Sequence, residues 1–235
     1  MEIGGIPFFS EKRIVDIEEI ETRFGGNWLV RVVTGDGVYA LRQSRRGEGD
    51  VANEYRVAQL AGRAGIAPEV LWYDEVSATM VQEWIDGEHR SPLDETDRRV
   101  LADTLRTLHT YTPQGERFPM IDLPALIKPD TSEVVDAFQT IGRFPVMRTL
   151  CHNDLNPRNV LWQDGRVWLI DFEYAGLNDP CFDLAAVSVE FGLSEGEERA
   201  WMEAYWGEEM WDKQKLAAYK VLYRALCRQW EAKQG

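Results

Sequence analysis

Two aspartates at the edges of neighbouring apolar strands constrain this chain more than any other feature. The first lies in Leu150-Cys151-His152-Asn153-Asp154-Leu155-Asn156-Pro157-Arg158-Asn159-Val160-Leu161, the second in Leu169-Ile170-Asp171-Phe172-Glu173. Between them, Trp162-Gln163-Asp164-Gly165-Arg166-Val167-Trp168 sets an Asp-Gly turn among apolar residues, a strong hairpin signal. A hairpin there is expected to bring both acidic groups to one end of a small sheet. The plainer alternative is a polar turn that merely joins two strands.

The residue types favour chemistry over the plain turn. Asn159 follows Asp154 on the same loop, and the order His-x-Asp-x-x-x-x-Asn with a later Asp-Phe-x is the spacing of kinase-like phosphotransfer centres. A hydroxyl attacking the γ-phosphate of ATP must be positioned and must lose a proton. Asp154 is the candidate acceptor of that proton. Magnesium is a hard cation that takes oxygen ligands; Asn159 offers a side-chain carbonyl and Asp171 a carboxylate. His152 is expected to brace the loop.

The run continues as Glu173-Tyr174-Ala175-Gly176-Leu177-Asn178-Asp179-Pro180-Cys181-Phe182-Asp183-Leu184-Ala185. Taken together, the stretch over residues 150–186 resembles the choline/ethanolamine kinase family, within the wider aminoglycoside-phosphotransferase-like group. Bacterial choline kinases and thiamine kinases carry similar runs. The resemblance implies a two-lobed, protein-kinase-like α+β fold. Residues 1–84 would form a small antiparallel sheet lobe that binds nucleotide, 85–87 a hinge, and 88–235 a larger, mainly helical catalytic and substrate-binding lobe, with ATP between them. It also implies ATP- and magnesium-dependent O-phosphorylation of a small amino alcohol, choline first, with ethanolamine, thiamine or an aminoglycoside as alternative acceptors. A non-catalytic nucleotide-binding module is the rival from another class; the intact Asp154, Asn159 and Asp171 argue against it.

Composition narrows the setting. The chain has 235 residues, 44% hydrophobic and 28% charged, which suits an ordinary soluble protein of one or two domains. No apolar run approaches the ~20 residues that span a bilayer, and Met1-Glu2-Ile3-Gly4-Gly5 does not read as a signal peptide. Three cysteines without metal-type spacing fit a reducing, cytoplasmic compartment. A net charge of −14 disfavours nucleic acid as partner. It suits a cationic small-molecule substrate drawn to an acidic cleft, or simply solubility.

Along the chain, residues 13–43 read as strands. Gly25-Gly26-Asn27 is a turn that, by the resemblance, would lie over the ATP phosphates; an ordinary hairpin turn explains it equally well. Arg42 ends a strand where kinases place the phosphate-contacting lysine, and its guanidinium can bind phosphate oxygens bidentately. Glu54, on a helix expected over 50–64, is the matching partner for Arg42, although the connection between them is short. Backbone groups around Gln82, Glu83 and Trp84 would hydrogen-bond adenine. A strongly patterned helix is expected over 94–111, ending near His109, read as a helix-end or core histidine.

Asp183 starts a buried helix, either capping it or bracing the catalytic loop. Ser194-Glu195-Gly196-Glu197 is a capping box. Two further helices carry Trp201, Tyr205 and Trp206 and then Tyr219 and Tyr223, with Trp211 just before the second. A quaternary ammonium cannot donate hydrogen bonds and is held by aromatic faces and a carboxylate. By the resemblance, these six are the pool for an aromatic cage, with Glu173 supplying the counter-charge or assisting the metal site. Taken singly, each aromatic serves to pack the helices together; as a group they are expected to include a substrate contact.

Overall fold

The computed structural model describes residues 3–20, 27–44, 48–111, 117–208 and 210–234. Two 3-10 turns, Ile3–Gly5 and Pro7–Phe9, feed Ile3, Ile6 and Phe9 into an apolar core beneath an antiparallel sheet. The sheet strands are β1 (Ile14–Ile20), β2 (Asn27–Thr34), β3 (Val38–Ser44), β4 (Val70–Asp74) and β5 (Thr79–Glu83), in the order β1-β2-β3-β5-β4. Alternation decides which side chains face in: Val30 and Val32 of β2, Leu41 of β3 and Val81 of β5 are fully buried. Gly35-Asp36-Gly37 joins β2 to β3, with Thr34 N–H on the Gly37 carbonyl at 2.8 Å.

Helix α1 (Glu48–Arg63) connects β3 to β4 and packs against β4 through Val57, Ala58 and Ala61. It begins two residues before Asp50, so Asp50 lies inside the helix and not at its cap. The expected turn residues Gly25 and Gly26 lie outside the described residues, as does the side chain of Asn27, whose backbone opens β2 opposite Ser44.

The remaining helices are α2 (Glu95–His109), α3 (Leu123–Leu126), α4 (Ser132–Ile141), α5 (Pro180–Glu190), α6 (Glu195–Trp206) and α7 (Lys213–Gln234). Their starts follow from capping chemistry. Asp94 accepts the Asp97 N–H and Asp97 reaches back to the Asp94 N–H, a reciprocal box at the head of α2. Asp179, rather than Asp183, caps α5 by accepting the Cys181 N–H at 3.0 Å. Glu197 accepts from the Ser194 N–H at the head of α6. In α2, Leu101, Leu105 and Leu108 form one buried stripe, and each buried leucine contributes about 1.5–3 kcal/mol. Helix α2 packs on α6, and α4 and α5 pack on α7.

Four short strands complete the chain: β6 (Thr149–Cys151), β7 (Val160–Gln163), β8 (Arg166–Leu169) and β9 (Gly176–Asn178). Asp164 and Gly165, with φ of 52° and 73°, turn the chain between β7 and β8. Strands β6 and β9 pair antiparallel. Gly176 is required there, because a Cβ on it would come within 2.6 Å of the Pro119 carbonyl oxygen.

The chain divides into two compact units. One comprises Met1–Glu88 with Trp168–Glu173, the other His89–Val167 with Tyr174–Gly235. The 168–173 segment joins the first unit through the Leu169 N–H, which donates to the Ile66 carbonyl at 2.8 Å. Among the described residues, no helix is long and apolar enough to cross a membrane.

Candidate active site

The loop that presents Asp154 begins where β6 ends. Asn153 takes a left-handed backbone, φ 65°, and its side chain secures that turn. The amide nitrogen of Asn153 donates to the Tyr174 carbonyl at 3.0 Å, and its oxygen accepts from Asn178 at 2.8 Å. The His152 and Asn153 N–H groups both donate to Asp183, each at 2.8 Å. Asp183 is fully buried. Burial pushes its carboxyl upward, but the hydrogen bond from His109, with His152 and its N–H, outweighs burial and holds the group below its ordinary value. Asp183 is thus the brace of the loop, and His109 is the core histidine expected, donating from α2 to that carboxylate at 2.9 Å. His152 is buried and accepts the Asp154 N–H on Nδ1 at 3.3 Å.

Asn159 lies on the same loop. A 3-10 turn, Pro157–Asn159, carries it back toward Asp154. Its amide nitrogen donates to the Asp154 carbonyl and to Oδ2 of the Asp154 carboxylate, each at 2.8 Å. That aims the carboxylate and leaves Oδ1 of the buried Asn159 side chain without a partner among the described residues. An amide oxygen so placed suits a hard cation.

The other unit carries Arg42, Glu54, Asp171 and Glu173. Arg42, on β3, donates through Nη1 to Glu54 of α1 and through Nη2 to Asp171 Oδ1 at 2.7 Å; Glu173 Oε2 lies 3.9 Å from Nη2. The Arg42–Glu54 pair therefore forms despite the short connection. Burial pushes the guanidinium down, and Glu54, Asp171 and Glu173 outweigh it and hold it up. Asp171, like Asn153, has φ 65°.

Of the backbone groups expected to meet adenine, the Glu83 N–H donates to the Glu69 carbonyl at 3.0 Å and the Trp84 N–H to the Val38 carbonyl at 3.2 Å. Gln82 pairs with Ala40 on one side and Val70 on the other. Those two N–H donors are used within the sheet.

The aromatic pool also divides. Trp201 is fully buried and donates from its indole nitrogen to the Leu184 carbonyl at 3.2 Å; Tyr205 is buried with its hydroxyl on His109. Neither has a face to offer a substrate. Tyr219 is buried edge-on to Phe182, a packing role. Trp206 and Trp211 are half-buried, Trp206 edge-on to Tyr205. No single cage is formed.

Tyr223 is buried too, edge-on to Phe182 as Tyr219 is. Its hydroxyl donates to Glu190 Oε1 at 3.0 Å, and Glu190 and Asp154 both act electrostatically on it and on Cys227. Burial first, then Cys227 and these two charges, hold the phenol well above its ordinary value. Sequence reasoning missed Glu190. Its signal was there: it is the single carboxylate at the far end of α5, eleven residues otherwise apolar after Asp183 except for Ser188. Glu173, expected as counter-charge or as help to the metal site, lies 3.9 Å from the same Arg42 nitrogen that meets Asp171.

Residues 22–226 match the model of a family described as the phosphotransferase enzyme family. The chain belongs to that family. Among solved structures, this phosphotransferase-family chain resembles a choline/ethanolamine kinase family protein from Mesorhizobium loti, with a TM-score of 0.79 and 26% identity over 98% of this chain and 83% of that one. Choline kinase LicA from Streptococcus pneumoniae has the same fold, with a TM-score of 0.76 at 23% identity over 95% of this chain and 87% of that one. Protein LicA of Haemophilus influenzae is 49% identical over 63 residues, which is 27% of this chain and 23% of the relative's length. The fold is thus the kinase-like α+β fold that the catalytic run implied.

Proposed function

We propose that this protein is an ATP-dependent O-phosphotransferase for a small cationic alcohol, choline first. The observation that carries the reading is the Asn159 clamp: both its bonds go to Asp154, which aims one carboxylate oxygen and leaves the amide oxygen for a metal. Asp154 orients the acceptor hydroxyl and takes its proton as the phosphoryl group moves. Asn159 and Asp171 hold magnesium, which offsets phosphate charge when bound. Arg42, kept in place by Glu54, meets phosphate oxygens. Residues 1–84 serve nucleotide binding and 88–235 catalysis and acceptor binding.

The acceptor preference rests on Glu190. Its half-buried carboxylate, held by the buried Tyr223 hydroxyl at 3.0 Å, suits a cation. The three free thiols fit a cytoplasmic enzyme.

The test is ADP release with magnesium and ATP, comparing choline, ethanolamine, thiamine and kanamycin, with Asp154→Asn as control. Choline-dependent turnover that disappears in the control is the expected result. Turnover with another alcohol moves the acceptor and keeps the mechanism. No turnover on any of the four, with ATP bound, overturns the reading in favour of a nucleotide-binding module.

A further inference from the structure

Tyr205 reaches the catalytic loop through a buried line of hydrogen bonds. Its hydroxyl lies 2.7 Å from His109 Nδ1, and His109 Nε2 lies 2.9 Å from Asp183 Oδ2. That carboxylate accepts the His152 and Asn153 N–H groups, each at 2.8 Å. The line therefore runs from α6 through α2 and α5 to the residue before Asp154. All three side chains are buried, Asp183 completely.

Satisfying every hydrogen fixes the direction of each bond. Asp183 is ionised and can only accept, so the hydrogen between it and the ring belongs to His109 Nε2. A buried phenol O–H also needs an acceptor. Among the described residues, His109 Nδ1 is the side-chain partner of that hydroxyl. Nδ1 must then carry a lone pair, and the imidazole is neutral. Cys151 Sγ shares this neighbourhood, its ligand atom and those of His109 and Asp183 lying within 4.8 Å of one another. His109 and Asp183 are bonded to each other, and Cys151 bonds elsewhere. Burial keeps the Cys151 thiol protonated, its sulfur bonds the Asn178 carbonyl, and both Asp183 oxygens already accept hydrogens.

We propose that Tyr205 is a positioning residue: by donating to His109 Nδ1 it fixes the neutral Nε2–H tautomer, which keeps Asp183 directed at the backbone that presents Asp154. The kinetic consequence rests on the role given to Asp154 above; the tautomer assignment does not.

Tyr205→Phe removes the hydroxyl and keeps the ring. In the full-length chain, imidazole nitrogen NMR should show His109 protonated on Nε2 and bare on Nδ1. In Tyr205→Phe, that single tautomer should give way to a mixture, and amide exchange at Asn153 should quicken roughly tenfold. Choline-dependent kcat should fall roughly tenfold with the KM for ATP unchanged. His109→Gln supplies a fixed amide donor to Asp183 and an acceptor to Tyr205. In that background, Tyr205→Phe should change kcat by less than about twofold, because no tautomer is left to control.

An equal loss in both backgrounds would show that Tyr205 acts by packing and would overturn the proposal. So would a wild-type His109 carrying its hydrogen on Nδ1 or on both nitrogens; that measurement needs no variant to fold. Absence of phosphotransfer in the wild type would strike the functional reading alone, since the NMR and exchange results decide the tautomer without it.

Discussion

Asn153 and Asp171 share the same left-handed backbone, φ 65° in each case, and are held there by different means. Asn153 is held by buried hydrogen bonds: its own neutral amide bonds Tyr174 and Asn178, and its N–H meets the buried carboxylate of Asp183. Asp171 is held by charge, through an ion pair to Arg42 in which its own side chain is one-third exposed. A left-handed non-glycine residue costs about 1–2 kcal/mol, so each needs a reason to persist. The first arrangement does not use the Asp154 carboxylate beside it. The second is weakened by anything that competes for the guanidinium or its partners.

The largest effect should come from the residue the first region presents but does not depend on. Asp154→Asn is expected to lower kcat by a factor of about 10²–10⁴ while leaving the melting temperature nearly unchanged. Steady-state kinetics and a thermal melt check both halves. A large loss of stability would mean that the carboxylate itself holds the loop, and the contrast with Asp171 would fail.

Removing the brace should do the reverse. Asp183→Asn leaves three hydrogen donors facing a neutral amide and is expected to cost about 3 kcal/mol of stability, read by denaturant unfolding. The pH dependence has a definite sign. The folded carboxyl lies below its ordinary value. Its stabilisation is therefore fully present above about pH 4, the unfolded value, and is lost as pH falls through the lower folded value. The deficit of the variant should shrink over that window; a deficit independent of pH would remove the ionised brace from the account.

Charge dependence is the test of the second region. Arg42→Lys keeps the charge but loses the fork that reaches Glu54 and Asp171 together. It is expected to raise the KM for ATP about tenfold, with a further rise at high salt. A variant insensitive to salt would show that Asp171 is held by geometry, as Asn153 is.

What could be read in advance follows the same division. The loop from Cys151 to Asn159 was legible because phosphotransfer restricts both residue types and spacing, and the pairing of Arg42 with Glu54 follows from the same logic. The aromatics were legible as helix residues but not as a cage, because composition does not say which face a side chain occupies. Periodicity does. Trp201, Met202 and Tyr205 share one face of α6, as Leu216, Tyr219, Leu222 and Tyr223 share one face of α7, and all are buried. The backbone at Glu83 and Trp84 could not be judged from sequence, since its donors are taken by Glu69 and Val38 across the sheet. Glu190 was hidden for a related reason: one carboxylate ending an apolar helix looks like an ordinary solvated terminus until Tyr223 is placed upon it.

That pair gives the smallest and most selective prediction. Glu190→Gln keeps the size of the side chain and an acceptor for the Tyr223 hydroxyl, but removes the charge. A cation beside one half-buried carboxylate gains about 1 kcal/mol from the charge, so the KM for choline should rise about fivefold. The KM for ATP should stay the same, because Glu190 lies in the unit that carries Asp154 and not in the one that carries Arg42 and Asp171. Trp201→Phe, which alters a fully buried ring on the neighbouring helix, should leave the choline KM unchanged while lowering stability. If Trp201→Phe moved the acceptor KM and Glu190→Gln did not, the buried aromatic face would belong to the acceptor site. The division between packing and recognition drawn from Glu190 would then have to be reversed.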